Sequence, residues 1–289
     1  PAQWSSLPGL LMMGGSDYYP SKDVVIEYLR SYEAKYGLNI LRPVVVKQTQ
    51  KSDGRFELET SQGRYSAKAV VSATGSFGNP VIPDIDGLNN FSGAILHSSD
   101  YRAPESFTGK RVLIVGEGNS GAQILAEVSK VTQTLWATQK QPRFLPDHVD
   151  GRFLFDAATQ LYEAQKLGKE YRTPSLGDIV MVDTVKEARE RNALNEFVHI
   201  DHFTAGTVVL TDGSERLVDV VIFCTGFKPL LKHLEPLIYP MSGGKLQTIG
   251  TKSADIDGLW LVGYGNWTGF ASATLIGVGR SAKVTVDQV

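Results

Sequence analysis

The stretch RVLIVGEGNSGAQILAEVSK, residues 111–130, decides the fold of this chain. Arg111–Val115 is a short apolar run and predicts a buried strand. Gly116–Gly121 reads GxGxxG, and Ala122–Lys130 has the composition of a helix. A strand, a glycine-rich turn and a helix in this order form the fingerprint of a dinucleotide-binding βαβ unit.

Each glycine of this turn has a physical reason in that interpretation. Gly116 permits the tight turn, Gly118 lets the backbone approach a pyrophosphate, and Gly121 lets the helix pack on the strand. The helix N-terminus presents unpaired N–H groups to the phosphates. We therefore assign Gly116, Gly118, Asn119, Ser120 and Gly121 to the cofactor site; the alternative is a turn without function.

The residues that follow the next predicted strand, Val131–Thr138, bear on the choice of cofactor. An acidic residue there would bind the ribose diol of NAD, but no acidic residue follows this strand before Asp147. Gln139 and Lys140 occupy the position, and Lys140 and Arg143 can face a 2′-phosphate. This pattern favours NADPH, or use of both NADPH and NADH; otherwise Lys140 is a solvated surface charge.

The rest of the chain is also α/β. Ser21 and Gly37 are suitable caps for a helix between them, and residues 141–196 are mixed and mostly helical. A helix is expected from about Ala271. Strands are predicted over Leu41–Thr49, Arg55–Thr60, Tyr65–Ala73, His199–Leu210, Arg216–Thr225 and Leu259–Val262, with hairpin turns at Asp53-Gly54, Gln62-Gly63 and Asp212-Gly213.

Composition excludes several classes of protein. The net charge of −2 argues against a nucleic-acid partner, and no apolar run is long enough to span a membrane. The one cysteine, Cys224, lies in a strand-like run and is expected to be a buried small hydrophobe. No targeting segment is visible, so we expect a cytoplasmic protein.

Residues 91–101, FSGAILHSSDY, carry a family resemblance. They read FxGxxxHxxxY, which resembles the identifying motif of the flavin-containing monooxygenases. The related Baeyer–Villiger enzymes end their variant in Trp-Pro, whereas this motif ends in Tyr101-Arg102. The resemblance extends over nearly the whole chain, which is most similar to bacterial single-component flavoprotein monooxygenases.

The resemblance implies a flavoprotein with two dinucleotide-binding domains, in which a Rossmann-like NAD(P) domain is inserted into an FAD domain. Its implied bounds are 1–105 and 226–289 for the FAD domain and 106–225 for the NAD(P) domain. The linker strands Val70–Gly75 and Val220–Phe227 and the turn Gly263–Trp267 match those of the family. They place Thr74, Gly75, Thr225, Gly226, Gly263 and Asn266 at the cofactors.

The implied reaction uses FAD, NADPH and O2 to oxygenate a small sulfide or amine, or a ketone, through a C4a-hydroperoxyflavin. No protein nucleophile is needed, and we name no catalytic residue. The predicted partners are a small-molecule substrate and O2, with a homodimer left open. Two alternatives remain: a flavin-dependent NAD(P)H reductase or oxidase without oxygen insertion, and a non-catalytic NAD(P)-binding protein.

The chain departs from the family in one respect. Family members carry two GxGxxG turns, and the N-terminal one binds FAD, whereas this sequence has one turn, at the NADP position. Pro1 is not a start residue. We therefore expect an upstream strand–turn–helix, without which the chain binds FAD weakly.

Several other residues have competing interpretations. His97 is a candidate base, but a structural or interdomain role fits its motif better. His199 and His202 lie on opposite faces of a predicted strand, so shared metal ligation is disfavoured. Trp267 and Phe270 line the flavin pocket or pack in the core. The absence of CxxC argues against a dithiol reductase.

Overall fold

The computed structural model describes residues 1–16, 18–149, 178–238, 246–269 and 271–289, together with residues 153, 156, 160, 163, 164 and 167–169. They form two compact units. One consists of Pro1–Asn79 and Pro229–Val289, which we call the flanking unit, and the other of Pro80–Lys228, the inserted unit. Among the described residues, no helix has the length and apolar character needed to cross a membrane.

In chain order the strands are β1 (Val46–Ser52), β2 (Arg55–Thr60), β3 (Gly63–Ala67), β4 (Val70–Ser72), β5 (Ala94–His97), β6 (Val112–Val115), β7 (Thr134–Ala137), β8 (Ile200–Phe203), β9 (Thr207–Leu210), β10 (Glu215–Leu217), β11 (Val220–Phe223), β12 (Thr248–Ile249), β13 (Lys252–Ser253) and β14 (Leu259–Leu261). The α-helices whose bounds fall within the described residues are α1 (Lys22–Tyr36), α2 (Asn119–Val128), α3 (Asp183–Glu190), α4 (Glu235–Ile238) and α5 (Leu275–Gln288).

Helix α1 in the flanking unit confirms the predicted caps. The Ser21 hydroxyl accepts a hydrogen bond from the Val24 N–H at 3.4 Å. Gly37 adopts the left-handed conformation, with φ 55°, and its N–H donates to the Ala34 carbonyl. The predicted strand Leu41–Thr49 begins only at Val46, since Pro43 has no N–H to donate to a ladder.

Two sheets build the flanking unit. Strands β1, β2 and β3 form an antiparallel meander, and the second sheet has the order β12-β13-β14-β4. The prediction of one strand over Tyr65–Ala73 was wrong. Its first half, β3, pairs with β2, whereas β4 pairs in parallel with β14. The chain changes sheets where the Val70 N–H donates to the Gly258 carbonyl at 2.9 Å.

The inserted unit contains the predicted strand–turn–helix–strand. Its sheet is parallel throughout, with the order β5-β11-β6-β7. Strands β6 and β11 are buried along their whole length, which explains why both read as continuous apolar runs. Helix α2 begins at Asn119, three residues before the predicted start, because Gly118 already takes the N-cap position.

Two runs predicted as single strands each divide in two. The run His199–Leu210 forms β8 and β9, because the Thr204 hydroxyl accepts from the Thr207 N–H at 3.1 Å and closes a turn. The run Arg216–Thr225 supplies β10 to the antiparallel order β10-β9-β8 and β11 to the parallel sheet. The hairpin predicted at Asp212-Gly213 therefore joins β9 to β10.

The inserted unit begins earlier than the predicted boundary at residue 105. Strand β5 belongs to its parallel sheet because it pairs with β11, with Ala94 opposite Val220. Its end, Lys228, lies close to the predicted boundary at residue 225. Helix α5 begins at Leu275 rather than at Ala271, because Ala271 has a φ of 55° that a helix does not accept.

Candidate dinucleotide site

A cavity of about 800 Å³ lies in the inserted unit where three parallel strands end. The carboxyl ends of β6, β7 and β11 supply most of its wall, and a ligand crevice is expected at this edge of such a sheet. The lining residues are Val81, Pro83, Asp84, Ile85, Val115, Gly116, Glu117, Gly118, Ala137, Thr138, Gln139, His199, Ile200, Cys224 and Thr225.

The three glycines of the turn differ in what a side chain would meet. At Gly116, with φ 127°, a Cβ would lie 2.5 Å from the Cys224 carbonyl oxygen, and at Gly121 it would lie 2.1 Å from the Gly116 oxygen. At Gly118 it would meet no atom of the described residues within 4 Å. The buried Trp136 indole N–H donates to the Gly116 carbonyl at 2.9 Å and holds the turn. The fold itself therefore requires Gly116 and Gly121, whereas the part of the chain that the structure describes leaves space for a side chain at Gly118.

Helix α2 starts at this space without a side-chain cap, because Gly118 is its N-cap residue. Unpaired N–H groups at a helix N-terminus suit an anion such as a phosphate. The Asn119 side chain does not cap the helix but binds a neighbouring segment. It accepts from the Val180 N–H at 2.8 Å and donates to the Asp178 carbonyl at 3.2 Å. Asn119 thus fixes the segment beside the turn, and Arg143 forms an ion pair with the Asp178 carboxylate at 3.5 Å.

The end of β7 is the region predicted to read the cofactor's 2′ position. Thr138 is buried, and its hydroxyl has no hydrogen-bond partner among the described residues. The Gln139 backbone N–H donates to the Glu117 carboxylate at 3.3 Å. Lys140 is exposed and does not line the cavity. A carboxylate from the glycine turn therefore lies beside Gln139, the position at which NAD-binding proteins carry an acid.

The cavity wall includes one histidine and the only cysteine of the sequence. His199 Nδ1 lies 2.7 Å from the Thr138 carbonyl oxygen and donates to it. His202 pairs with Asp201 at 2.8 Å, and no cluster suited to a metal occurs among the described residues. Burial raises the pKa of the Cys224 thiol to about 12, which makes it a poor nucleophile.

The FxGxxxHxxxY motif has a packing role in the inserted unit. His97 is buried, accepts from the Ser99 N–H at 3.2 Å and meets the Phe227 ring edge-on at 4.7 Å. The Tyr101 hydroxyl donates to the Glu127 carboxylate of α2 at 2.6 Å, and burial raises the pKa of Tyr101. These contacts favour the structural role of His97 over the catalytic one.

The flanking unit brings together residues assigned to the flavin. Strands β4 and β14 are parallel, so their carboxyl ends lie side by side, and the turns that follow contain Gly75 and Gly263. Both glycines have positive φ, 63° and 85°, and a Cβ on Gly75 would lie 4.0 Å from the Gly263 oxygen. Asn266 is exposed in the short 3-10 helix Gly265–Trp267. Two glycine turns thus meet at the edge of the sheet where a ligand is expected.

A chain of hydrogen bonds, buried at its His233 end and exposed at Thr74, supports this edge. The Thr74 hydroxyl donates to the Leu230 carbonyl at 2.7 Å, so it accepts from the Tyr264 hydroxyl at 2.7 Å. Tyr264 in turn accepts from Ser72 at 2.6 Å, and Ser72 accepts from His233 Nε2 at 2.9 Å. Because each hydroxyl has one proton, the order is determined from the Leu230 end. Burial lowers the pKa of His233, which suits a neutral ring.

The structure thus divides the predicted site residues into groups. Gly116, Gly118, Gln139 and Thr225 line the cavity, whereas Asn119, Ser120, Gly121, Lys140 and Gly226 belong to the inserted unit but do not line it. Thr74, Gly75, Gly263 and Asn266 belong to the flanking unit. Trp267 packs against the core of the flanking unit, and Phe270 lies outside the described residues. Sequence reasoning missed Glu117, although an acid in the second position of the turn is visible.

Comparisons with known proteins agree with this architecture. A family model for pyridine nucleotide-disulphide oxidoreductases matches residues 10–263. A flavin-containing monooxygenase structure from Stenotrophomonas maltophilia is 42% identical, with a TM-score of 0.86, over 100% of this chain and 82% of that one. A CzcO-like oxidoreductase from Geobacillus kaustophilus is 28% identical over 100% of this chain and 84% of its own length.

A more distant structure shares the fold alone. An open structure of cyclohexanone monooxygenase is 18% identical, with a TM-score of 0.63, over 94% of this chain and 73% of that one. The predicted fold class, two dinucleotide-binding domains in an α/β flavoprotein, is confirmed by these matches together with the two units.

Proposed function

We propose that this chain, which belongs to the pyridine nucleotide-disulphide oxidoreductase family, uses FAD, a reduced nicotinamide dinucleotide and O2 to oxygenate a small sulfide, amine or ketone. That it is a flavin-dependent monooxygenase in the broad sense rests on its relatives. The substrate class and the identity of the two cofactors are our proposals.

One observation carries the dinucleotide part of the proposal: the open space at Gly118. The other glycines of the turn have protein atoms that exclude a side chain, but Gly118 has none within 4 Å among the described residues. The fold does not need a glycine at this position. A glycine before an uncapped helix N-terminus lets the protein backbone lie close to a pyrophosphate. Gly116, Gly118 and α2 would hold the pyrophosphate, and Lys140 would meet the 2′-phosphate of NADPH.

The flanking unit contributes the proposed flavin contacts. Thr74, Gly75, Gly263 and Asn266 surround the edge at which β4 and β14 end. The hydrogen-bonded chain from His233 to Leu230 fixes the Thr74 and Tyr264 hydroxyls beneath that edge. The protein's part is therefore to bind and orient cofactors on rigid turns and to exclude water.

When bound, the flavin would mediate the transfer of two electrons from the dinucleotide to O2. In the complete reaction, NADPH, a proton, O2 and a sulfide give NADP⁺, water and a sulfoxide. No side chain is required as a nucleophile, which agrees with the raised pKa of Cys224. Within these 289 residues the single cysteine has no second thiol with which to form a dithiol pair of the kind that disulfide reductases use.

The stoichiometry of turnover tests this function. Flavin-loaded protein is given NADPH and a methyl aryl sulfide, and we expect one sulfoxide for each NADPH and each O2 consumed. A reductase or oxidase would instead release one hydrogen peroxide for each NADPH, with no sulfoxide. A protein that oxidises no NADPH and binds no flavin would contradict catalysis and favour a non-catalytic dinucleotide-binding protein.

A further inference from the structure

The described lining of the dinucleotide cavity is acidic, although a dinucleotide is itself negatively charged. Its described lining contains two carboxylates, Asp84 and Glu117, and the imidazole of His199, but no lysine or arginine. Lys140 is exposed outside the lining, and Arg143 is paired with Asp178. A cavity of this composition does not favour the extra negative charge of a 2′-phosphate.

Glu117 occupies a specific place in this cavity. It is the second residue of the turn and partly exposed, and its carboxylate accepts from the Gln139 N–H at 3.3 Å. Gln139 follows β7, the second strand of the βαβ unit, at the position where NAD-binding proteins carry an acid for the ribose diol. The neighbouring Thr138 lines the cavity, and its buried hydroxyl has no partner among the described residues.

We propose that Glu117 binds the adenosine ribose diol of the dinucleotide and thereby determines which cofactor the enzyme accepts. The carboxylate that is absent from the end of β7 comes instead from the glycine turn, and the two ribose hydroxyls donate to it. The hydrogen bond to Gln139 holds the carboxylate in this position. This assignment rests on the proposed function and adds a residue that discriminates NADH from NADPH.

The consequence for NADPH is opposite to that for NADH. A 2′-phosphate replaces one of the donor hydroxyls and puts a second negative group beside Glu117, so the same residue that favours NADH disfavours NADPH. Lys140, which is exposed after β7, attracts the 2′-phosphate and so offsets its repulsion by Glu117. The two residues together give an enzyme that accepts both cofactors, with NADH favoured by Glu117 and NADPH by Lys140.

The test compares the affinity of both cofactors in wild type and in Glu117→Gln, measured by calorimetric titration without substrate. Glutamine keeps an oxygen that accepts from the Gln139 N–H, so the turn is preserved and the negative charge is removed. We expect NADH affinity to fall by roughly tenfold, which corresponds to the free energy of one charge-assisted hydrogen bond. NADPH affinity should rise. ADP-ribose and its 2′-phosphate should follow the same pattern, because they carry the adenosine end alone.

Asp84→Asn is the matched control, since Asp84 is an acid in the same cavity, whereas the Gln139 N–H donates to Glu117. It should change the preference between the two cofactors less than Glu117→Gln does. A purely structural role for Glu117 would lower both affinities together, and that result, or unchanged affinities, would overturn the assignment. Wild-type protein that binds neither dinucleotide would refute the proposed function itself, which is a different outcome.

Discussion

Replacing Gly118 by valine separates what the turn does for the fold from what it does for a ligand. The backbone of Gly118 is extended, with φ −91° and ψ −173°, a region that β-branched residues readily adopt. A Cβ there meets no atom within 4 Å in the described part of the chain. The fold should therefore tolerate the change, at a cost of about 1 kcal/mol or less for an altered N-cap, while the side chain fills the space assigned to the pyrophosphate.

The expected loss is seen in the thermal shift caused by the dinucleotide. A ligand that binds only the native state stabilises it by RT ln(1 + [L]/Kd), about 2.7 kcal/mol at a hundredfold excess over Kd. For a unit of roughly 150 residues this corresponds to a rise in Tm of about 5–10 °C. Differential scanning fluorimetry with NADPH should show this rise for wild type and none for Gly118→Val.

Gly121→Ala is the matched comparison on the same turn. Its Cβ would lie 2.1 Å from the Gly116 carbonyl oxygen, and a contact that short forces backbone to move. We expect it to lower the Tm without ligand, by about 1–3 kcal/mol or more in stability. An undiminished NADPH-induced shift in Gly118→Val would refute the assignment of the cradle.

Three further predictions concern cofactor choice, the turn and a buried histidine. Lys140→Ala should weaken NADPH more than NADH in a calorimetric titration, because only NADPH carries the 2′-phosphate; equal losses would contradict this role. Trp136→Phe leaves the Gly116 carbonyl without its indole donor and should lower the free energy of unfolding, measured with urea, by about 1–3 kcal/mol. It should also weaken dinucleotide binding, whereas the control Trp260→Phe in the flanking unit should leave that binding unchanged. Because burial lowers the pKa of His233, the unfolded chain takes up a proton first, and stability is lost as the pH falls below about 6.5; the Tm of His233→Gln should fall less on acidification, and an equal fall would refute the buried neutral ring.

The dinucleotide unit was predictable from the sequence because its signals are local. A continuous apolar run such as Val112–Val115 predicts a strand buried on both faces, and the glycine spacing predicts the turn. The caps of α1 are local for the same reason. At Gly116 and Gly121 the geometry of the turn leaves no room for a side chain, whereas their role in cofactor binding stays a prediction.

The errors arose where long-range pairing divides a single run of sequence. Nothing local separates β3 from β4, since their partners β2 and β14 lie on opposite sides of the inserted unit in the sequence. Glu117 was missed for a similar reason. The usual position for a ribose-binding acid is after the second strand, whereas the carboxylate that we propose for this role belongs to the turn and lies beside Gln139.

The most direct test of monooxygenase function is the fate of the oxygen atoms. Flavin-loaded protein, NADPH and a methyl aryl sulfide are incubated under ¹⁸O2 in unlabelled water, and the sulfoxide is analysed by mass spectrometry. We predict one ¹⁸O atom in the sulfoxide, with sulfoxide formed in step with NADPH oxidation and unaffected by catalase. NADPH oxidation that yields only labelled hydrogen peroxide, with no enzymatic sulfoxide from this substrate or from amine and ketone substrates, would contradict oxygen insertion and identify the chain as a reductase or oxidase.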